Sequence, residues 1–306
     1  VIRLGSGFVS NYYEYRIPLK ITDHMGALTD QTIWPSQNGV DSDLDMFPQL
    51  KQIRNQSGAP VNQPYTIQDS KGNYVTVVGN PNLGDVREAL LGILNPDKMQ
   101  TSGPDDGFPK SAEVWFDELR VSDMDESGGY AALGRVDLQL ADLGTITVAG
   151  SMHTQGFGNV DQSVNERAMD NYYQYDIATN LELGKLLPRR WNLSVPMYAG
   201  YSQTISNPEY DPYDLDIKLK DKLRLATSKH ERDSILEQAQ DFTSIKSLSF
   251  TNVRKLPDPG KETHRLWDIE NFDLSYSFSQ ILSHNPLIAR DLLTQQKLGL
   301  GYAFSG

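Results

Sequence analysis

Side chains that could bind a metal ion are concentrated in acidic runs. Asp41, Asp43 and Asp45 have the spacing of the first half of a calcium-binding loop, in which carboxylate oxygens supply ligands. The glycine and the distal glutamate of that motif are missing, so a solvated acidic loop is the stronger interpretation. The same interpretation applies to a second acidic group, which consists of Asp211, Asp214 and Asp216.

Two further pairs of residues invite a catalytic interpretation. Asp117 and Glu118 could form a carboxylate pair, but neighbouring residues of a strand point to opposite faces of a sheet. Gly156 and Gly158 are spaced as in a phosphate-binding loop, but the strand-to-helix context and a following lysine are missing. Loop geometry is the better account of both glycines.

Histidine and cysteine also give no site. The five histidines are scattered without paired spacing, at His24, His153, His230, His264 and His284, and the chain contains no cysteine. We therefore predict no catalytic residue, no cofactor and no metal site, and we do not expect an enzyme. The net charge of −12 argues against a nucleic-acid partner, because binding nucleic acid requires a basic surface.

The stronger signal lies in the elements that would position these side chains. From Ala132 onward, apolar and polar residues alternate with period 2, most clearly from Tyr173 to Leu183 and again from Trp191 to Tyr201. These runs have the 9–11 residues of a tilted membrane-spanning strand, or slightly more. Aromatic residues occur at the ends of the apolar faces, where interfacial girdles would fall.

The alternation predicts seven strands beyond a junction near residue 125. They are Ala132–Leu140, Thr145–Thr154, Tyr173–Gly184, Trp191–Ser202, Ile245–Val253, Trp267–Ser279 and Gln296–Phe304. Within them we predict a lumen-facing set and a lipid-facing set. The lumen-facing residues are Gln174, Asp176, Asn180, Glu182, Ser194, Ser275 and Ser277, and the lipid-facing residues are Tyr175, Ile177, Leu181, Leu183, Val195 and Met197.

The lengths of the connections predict the orientation of these strands. Short turns of outer-membrane barrels face the periplasm and long loops face outward. This rule places 141–144, 185–190 and 254–266 on the periplasmic side, and 155–172, 203–244 and 280–295 outside. The longest loop holds a polar helix candidate, Ile217–Gln240, without a clear apolar stripe.

The first 125 residues form a domain of a different kind. Short strands are predicted at Tyr12–Ile21, Tyr65–Gln68, Tyr74–Val78 and Ala112–Val121, and a short helix at Asp43–Asn55. Val86–Leu94 is apolar and could be strand or helix. Ala112–Val121 carries apolar residues on both faces, as a strand buried on both sides does. This pattern favours a β-sandwich or jelly-roll-like domain at 1–125, followed by barrel strands at 126–306 with the 203–244 loop inserted.

Several blocks of this sequence resemble the SprA/Sov family. They are Ala112–Val121, Gly129–Ala132, Ala141–Gly144, Gln155–Gly158, Val164–Arg167, Gln174–Gly184, Val195–Met197 and Ser206–Asp221, with Asn11–Leu19, Gly79–Leu83 and Leu91–Pro96 upstream. That family comprises very large outer-membrane translocons of the Bacteroidetes type IX secretion system, which is also tied to gliding motility. The resemblance covers about residues 5–225 well and the remainder more thinly.

The resemblance implies that this chain is a section of a giant transmembrane β-barrel that exports folded cargo at the cell surface. The implied location is the bacterial outer membrane. The implied partners are secreted cargo proteins, an accessory outer-membrane barrel protein, a periplasmic plug protein, and the lipid bilayer with its lipopolysaccharide. Seven strands cannot close a wide barrel alone, because barrel diameter grows with strand number.

The pattern leaves alternatives open. A strand face lined by tyrosine and leucine also occurs in the core of a sandwich, and strand length, turn parity and the resemblance favour the membrane. A surface-exposed jelly-roll glycan-binding module is the second interpretation, with Trp34 and Trp115 as its aromatic candidates. A small-solute porin or receptor-gated transporter is the third. A mean hydropathy of −0.49 and the absence of long apolar runs exclude a helical membrane protein.

Overall fold

The chain folds into two units that are interleaved along the sequence. The computed structural model describes residues 1–22, 25, 27, 29–95, 108–257 and 265–304. The first unit, called here the amino-terminal unit, comprises Val1–Met124 and Asp214–Lys222. The second, called the strand unit, comprises Asp125–Tyr213 and Leu223–Gly306. His24, His264 and parts of the predicted 254–266 connection lie outside the described residues.

The amino-terminal unit is built on one antiparallel sheet of five short strands. They are β1 (Ile2–Gly7), β2 (Asn11–Arg16), β3 (Tyr65–Gln68), β4 (Tyr74–Val78) and β5 (Glu88–Leu91), in the order β3-β4-β2-β1-β5. The helices before β3 are α1 (Asp30–Ile33) and α2 (Met46–Ser57). Short 3-10 turns occur at Ser36–Asn38 and Leu83–Asp85.

The core of this unit lies between the sheet and α2. Alternate residues of a strand share a face, so the cross-strand pairs Tyr13–Val77 and Tyr15–Val75 present four apolar side chains together. Phe47 of α2 packs against them, with its ring centroid 5.1 Å from that of Tyr13. Helix α2 ends at Ser57 and is followed by the cap residue Gly58, whose φ of 69° lies in the left-handed region that favours glycine.

Some predictions for this region are confirmed and others are wrong. The strands Tyr65–Gln68 and Tyr74–Val78 have the predicted bounds, and the ambiguous Val86–Leu94 contains β5. The segment Ala112–Val121 is not a strand: it has no regular secondary structure and is largely exposed. The sandwich prediction is also wrong for the described residues, because α2 supplies the apolar layer that a second sheet would supply.

The prediction of a single helix over Ile217–Gln240 is wrong, because the segment begins in a strand and its helical part is divided into two helices. The structure has a strand, β12 (Asp214–Lys218), followed by α3 (Leu219–Leu225) and α4 (Lys229–Ala239). Alternation of acidic and apolar residues from Asp214 to Ile217 explains the strand. A new helix begins after Ser228, whose hydroxyl accepts the amide of Glu231 and caps α4.

The strand unit is an antiparallel meander with long strands. Its main members are β6 (Ala131–Leu140), β7 (Gly144–His153), β8 (Asp170–Glu182), β10 (Pro196–Pro208), β13 (Asp241–Lys255), β14 (Phe272–Asn285) and β15 (Ile288–Tyr302), in sheet order β15-β14-β13-β10-β8-β7-β6. Two short strands, β9 (Leu193–Ser194) and β11 (Tyr210–Asp211), interrupt the series. Within the described residues, β6 and β15 are the edges of an open sheet.

All seven predicted strands occur, but several bounds differ. The predicted 280–295 loop is wrong, because β14 and β15 continue to a turn of only Pro286 and Leu287. The side chain of Asn285 accepts the amides of Leu287 and Ile288 at 2.9 Å and closes this turn. The predicted strand Trp191–Ser202 is broken at Asn192, which has a φ of 49°, and the long strand β10 begins at Pro196.

The helices of both units are short. Among the described residues, none combines the length and the apolar content that crossing a membrane requires. By its secondary structure, the described part of the chain is mostly β-sheet, as predicted.

Candidate functional site

The register of the strand unit gathers apolar side chains on one face, called here the apolar face. Residues paired across antiparallel strands point to the same side. One such row contains Leu181, Met197, Phe250, Tyr276 and Leu298. Tyr175 and Ile177 follow by alternation along β8, so four of the six predicted lipid-facing residues share this face.

The other two predicted lipid-facing residues are not on a long strand. Leu183 opens a 3-10 turn, and Val195 lies between β9 and β10. They remain neighbours, because the amide of Leu183 donates to the carbonyl of Val195 at 2.9 Å. Their assignment to a continuous strand is wrong, since the left-handed residue Asn192 and the 3-10 turn interrupt the alternation.

The predicted lumen-facing residues lie on the opposite side, called here the polar face. A cross-strand row contains Asn180, Tyr198, Ser249 and Ser277, and it ends at Lys297. Gln174, Asp176 and Glu182 join it by alternation along β8, and Ser275 by alternation along β14. Ser194 lies on β9, and its hydroxyl donates to Glu182 Oε2 at 3.2 Å.

Hydrogen bonds join several side chains of the polar face. Tyr172 Oη donates to Gln174 Oε1 at 2.9 Å, and Gln174 Nε2 donates to Asp176 Oδ2 at 2.7 Å. Ser202 Oγ of the neighbouring strand donates to Asp176 Oδ1 at 2.6 Å. Tyr172 was missed in the prediction, because the strand was expected to begin at Tyr173 and in fact begins at Asp170. The polar character of Asp170 and Asn171 hid this extension.

The apolar band on the apolar face runs obliquely across the strands. The row that starts with Val136 in β6 continues through Val148, Ile177 and Tyr201 and becomes polar at Lys246, Gln280 and Thr294. On β15 this face carries Leu292 on one side of the Thr294 row, and it carries the consecutive apolar positions Leu298, Leu300 and Tyr302 further along the strand. When strands are tilted, an apolar layer of constant thickness meets each strand at a different position along its length. The apolar residues therefore shift along the strand from one strand to the next.

The side chains of this band are exposed to an unusual degree. Tyr175 and Ile177 are 50% and 46% exposed, and Leu298 and Leu300 are 75% and 74% exposed. Large contiguous exposed apolar patches mark surfaces that contact a protein or a membrane. The apolar face is therefore an interaction surface.

The amino-terminal unit contains a second notable arrangement, called here the Lys51 clamp. Lys51 Nζ lies 2.7 Å from Asp214 Oδ1, 3.9 Å from Asp216 Oδ2 and 2.8 Å from the carbonyl oxygen of Pro81. Asp216 also accepts the hydroxyl of Tyr13 and, at 2.9 Å, the amide of Leu83. Burial, followed by the hydrogen bond to Asp216, raises the pKa of Tyr13.

The clamp corrects one prediction about acidic residues. Asp214 and Asp216 were expected in a solvated loop, but they hold β12 in the amino-terminal unit, and Asp211 is also buried. Asp41, Asp43 and Asp45 lie on an exposed loop where the amide of Asp45 donates to Asp43 Oδ1 at 2.9 Å. Across the described part of the chain, no three histidine or acidic side chains are grouped so as to hold a metal ion.

The remaining candidates have ordinary roles. Asp117 and Glu118 lie in the exposed segment without regular structure, and Glu118 is 3.7 Å from Arg120. Gly156 has a φ of 78° and donates its amide to the carbonyl of Ala168 at 2.8 Å, so it shapes a loop. Trp34 and Trp115 are exposed, and Trp115 lies in the same irregular segment as Asp117.

Comparison with known proteins agrees with the sequence resemblance. The family model SprA_N, described as "Motility related/secretion protein", matches residues 1–223. The chain belongs to this family of motility-related and secretion proteins, which confirms the resemblance to the SprA/Sov family. A search of curated proteins finds no match.

Proposed function

We propose that this chain is a section of a protein-conducting translocon in the bacterial outer membrane, belonging to the type IX secretion system. It forms part of a barrel wall through which folded cargo leaves the cell and on which gliding motility depends. The oblique apolar band, backed by a polar face, is the observation that carries this proposal. Family membership supports its secretion role.

The dimensions of the strands support a transmembrane wall. The seven main strands have 10–15 residues, and a tilted strand crosses a bilayer with about 9–11. Aromatic residues border the apolar band, as with Tyr173 on β8 and the Phe272–Tyr302 pair, whose ring centroids are 5.1 Å apart. Tyrosine and phenylalanine in such positions match the girdles of outer-membrane barrels.

The open edges of the sheet support a wide pore. Strands β6 and β15 both leave one side of their backbone unpaired within the described residues. Unpaired strand edges are not stable in a bilayer, because their amides and carbonyls have no water to bind. Further strands therefore complete the wall, and a larger strand number gives a wider barrel.

The polar face supports a passive conduit for folded proteins. Serine, threonine, glycine and alanine prevail on it, and its apolar side chains are confined to Leu133 and to one row that contains Ile245, Ile281 and Leu293. Most of the face therefore offers polar contact to a passing cargo protein. The wall performs no catalysis, and the energy for export comes from a partner complex. Its other proposed partners are an accessory outer-membrane barrel protein and a periplasmic plug protein.

Paired substitutions on β8 test this proposal. Ile177→Arg places a cation on the apolar face in the central part of β8, and it should cost ~2–4 kcal/mol as arginine does near a bilayer midplane. Ala178→Arg, one residue away on the polar face, should be much milder. The measurement is the yield of assembled protein in outer membranes, together with secretion of cargo. Equal tolerance of arginine at both positions would contradict the barrel wall.

A further inference from the structure

A shallow depression lies on the apolar face close to the edge strand β6. Its volume is about 350 Å³, at the low end of the ~300–1,000 Å³ typical of ligand sites. Three strands line it, and the side chains on its walls belong to Ala132, Met152, Tyr173 and Tyr175. No charged residue is among its lining.

The depression exists because two paired positions have no side chain. Gly134 of β6 pairs with Gly150 of β7, and Gly150 pairs with Tyr175 of β8. The row above contains Ala132, Met152 and Tyr173, so the two glycines form a floor of bare backbone between larger neighbours. A Cβ added at Gly134 would meet no atom within 4 Å, which shows that the space is open.

The chemistry of the apolar face changes on the two sides of the depression. Toward Leu140 it continues into the apolar band through Val136, Val148 and Ile177. In the other direction the same face becomes polar but uncharged at Asn171 and Asn207, which are paired. Asn171 Oδ1 accepts the amide of Gln155 at 3.2 Å, and Asn207 Oδ1 accepts from Gln240 at 3.1 Å. An apolar hollow with a neutral polar rim on one side fits an amphipathic ligand.

We propose that this depression binds an acyl chain of a membrane lipid, whose headgroup lies beside Asn171 and Asn207. The inference rests on the proposed function, because the hollow is continuous with the band that contacts the bilayer. Its lining offers only apolar contact, and its open side lets a long chain continue along Val136 and Val148. Tyr173 and Tyr175 border it, as tyrosines do where hydrocarbon meets headgroups.

Two glycine substitutions on edge strands make a matched test. Gly134→Leu extends a side chain from the floor of the hollow, where an added Cβ meets no atom within 4 Å. Gly299→Leu, on β15 and on the polar face, is the control, because its nearest contact is ordinary, with Ser275 Cβ at 3.7 Å. Gly134→Ala is the milder variant should the leucine impair assembly. Each variant is prepared in the full-length protein, purified in detergent, delipidated and titrated under native mass spectrometry with phosphatidylethanolamine and, in a separate arm, with the lipid A part of lipopolysaccharide.

The expected result is one tightly bound lipid fewer in Gly134→Leu than in the wild type and Gly299→Leu, with a partial loss in Gly134→Ala. Equal lipid numbers in all variants would overturn the proposed site while leaving the barrel wall intact. Loss of a co-purifying protein with unchanged lipid would overturn it in favour of a protein side chain in the hollow. A wild-type protein that binds no lipid and remains dispersed without detergent would instead overturn the proposed function.

Discussion

The ammonium group of Lys51 lies 2.7 Å from Oδ1 of Asp214, although 163 residues separate the two in the chain. Asp214 begins β12, which belongs to the amino-terminal unit, while the chain on both sides of the 214–222 segment belongs to the strand unit. The chain therefore passes between the two units three times. Any movement of the amino-terminal unit must carry β12 with it or break the Lys51 clamp.

The first prediction is that Lys51→Met strongly destabilises the amino-terminal unit. The Lys51 side chain is 1% exposed, and the substitution leaves Asp214 and Asp216 without their cation. Removing one partner of a buried ion pair typically costs ~3–5 kcal/mol. Urea denaturation of the chain should show this loss, whereas Lys71→Met, at an exposed lysine that donates to the carbonyl of Asp41, should change stability little.

A triple variant distinguishes the effect of losing the charge of Lys51 from the effect of losing its packing. Adding Asp214→Asn and Asp216→Asn to Lys51→Met removes the uncompensated charges and should recover a large part of the lost stability. A triple variant as unstable as Lys51→Met would show that the clamp acts through the stem of the lysine and not through its charge.

The second prediction concerns the long insertion between β10 and β13. Replacing residues 209–240 by a short linker removes β12 and its two clamp carboxylates, so it should destabilise the amino-terminal unit as well as any docking function of the loop. Replacing only α4 (Lys229–Ala239) by a flexible linker keeps β12 and should leave that unit folded. Limited proteolysis of residues 1–95 measures the difference. Equal protease resistance in both variants would contradict the structural role of β12.

Secretion assays on the same two variants test the role of the loop in gating or in docking of partners. Long loops on a rigid scaffold often carry such functions. We expect the α4 replacement to keep β10 and β13 assembled but to alter secretion or recovery of partners in pull-down. If secretion and the recovery of partners were both unchanged, the insertion would have no role in gating or in docking of partners.

The sequence was most informative where the determining pattern is local. The alternation from Tyr173 to Glu182 is visible without knowledge of its neighbours, because a period of two follows from strand geometry alone. The tight turn after Asn285 was missed, because polar residues such as Ser283 and His284 resemble a loop when their cross-strand partners are unknown. The prediction of a strand at Ala112–Val121 was wrong for the opposite reason: apolar residues on both faces indicated burial, but no strand among the described residues pairs with this segment.

The candidate site shows the same division. The two faces of β8 could be assigned in advance, whereas the oblique course of the apolar band required the register of all seven strands. The Lys51 clamp could not be predicted from the sequence, because nothing near Asp214 in the sequence indicates that a buried cation from α2 lies beside it. Contacts over such a separation depend on the complete fold and leave no periodic signal.

The third prediction is a pH dependence at Asp69, in the turn between β3 and β4. Burial alone would raise the pKa of Asp69, but hydrogen bonds from Tyr15 and Asn73 outweigh it and lower the pKa. A carboxyl group with a depressed folded-state pKa stabilises the fold above its unfolded pKa of ~3.9, and this contribution is lost as the pH falls through the folded value. Asp69→Asn should therefore be less stable than the wild type at pH 7, and the difference should vanish under strongly acidic conditions. A difference that persists unchanged to acid pH would rule out the charge as its cause.

The last prediction is the orientation of the strands across the outer membrane. The turns that contain Asp142 and Lys185 lie at the same end of the sheet, since Asp142 Oδ2 is 3.2 Å from Lys185 Nζ. If this end faces the periplasm, cysteines introduced at Asp142 and Pro188 should be shielded from a membrane-impermeant thiol reagent in whole cells. Cysteines at Asn159 and Leu287, at the opposite end, should react, and these 306 residues contribute no cysteine background of their own. Permeabilised cells, in which all four positions should label, provide the control. If only the cysteines at positions 142 and 188 were labelled in intact cells, the opposite topology would hold, with the 155–169 and 286–287 connections in the periplasm.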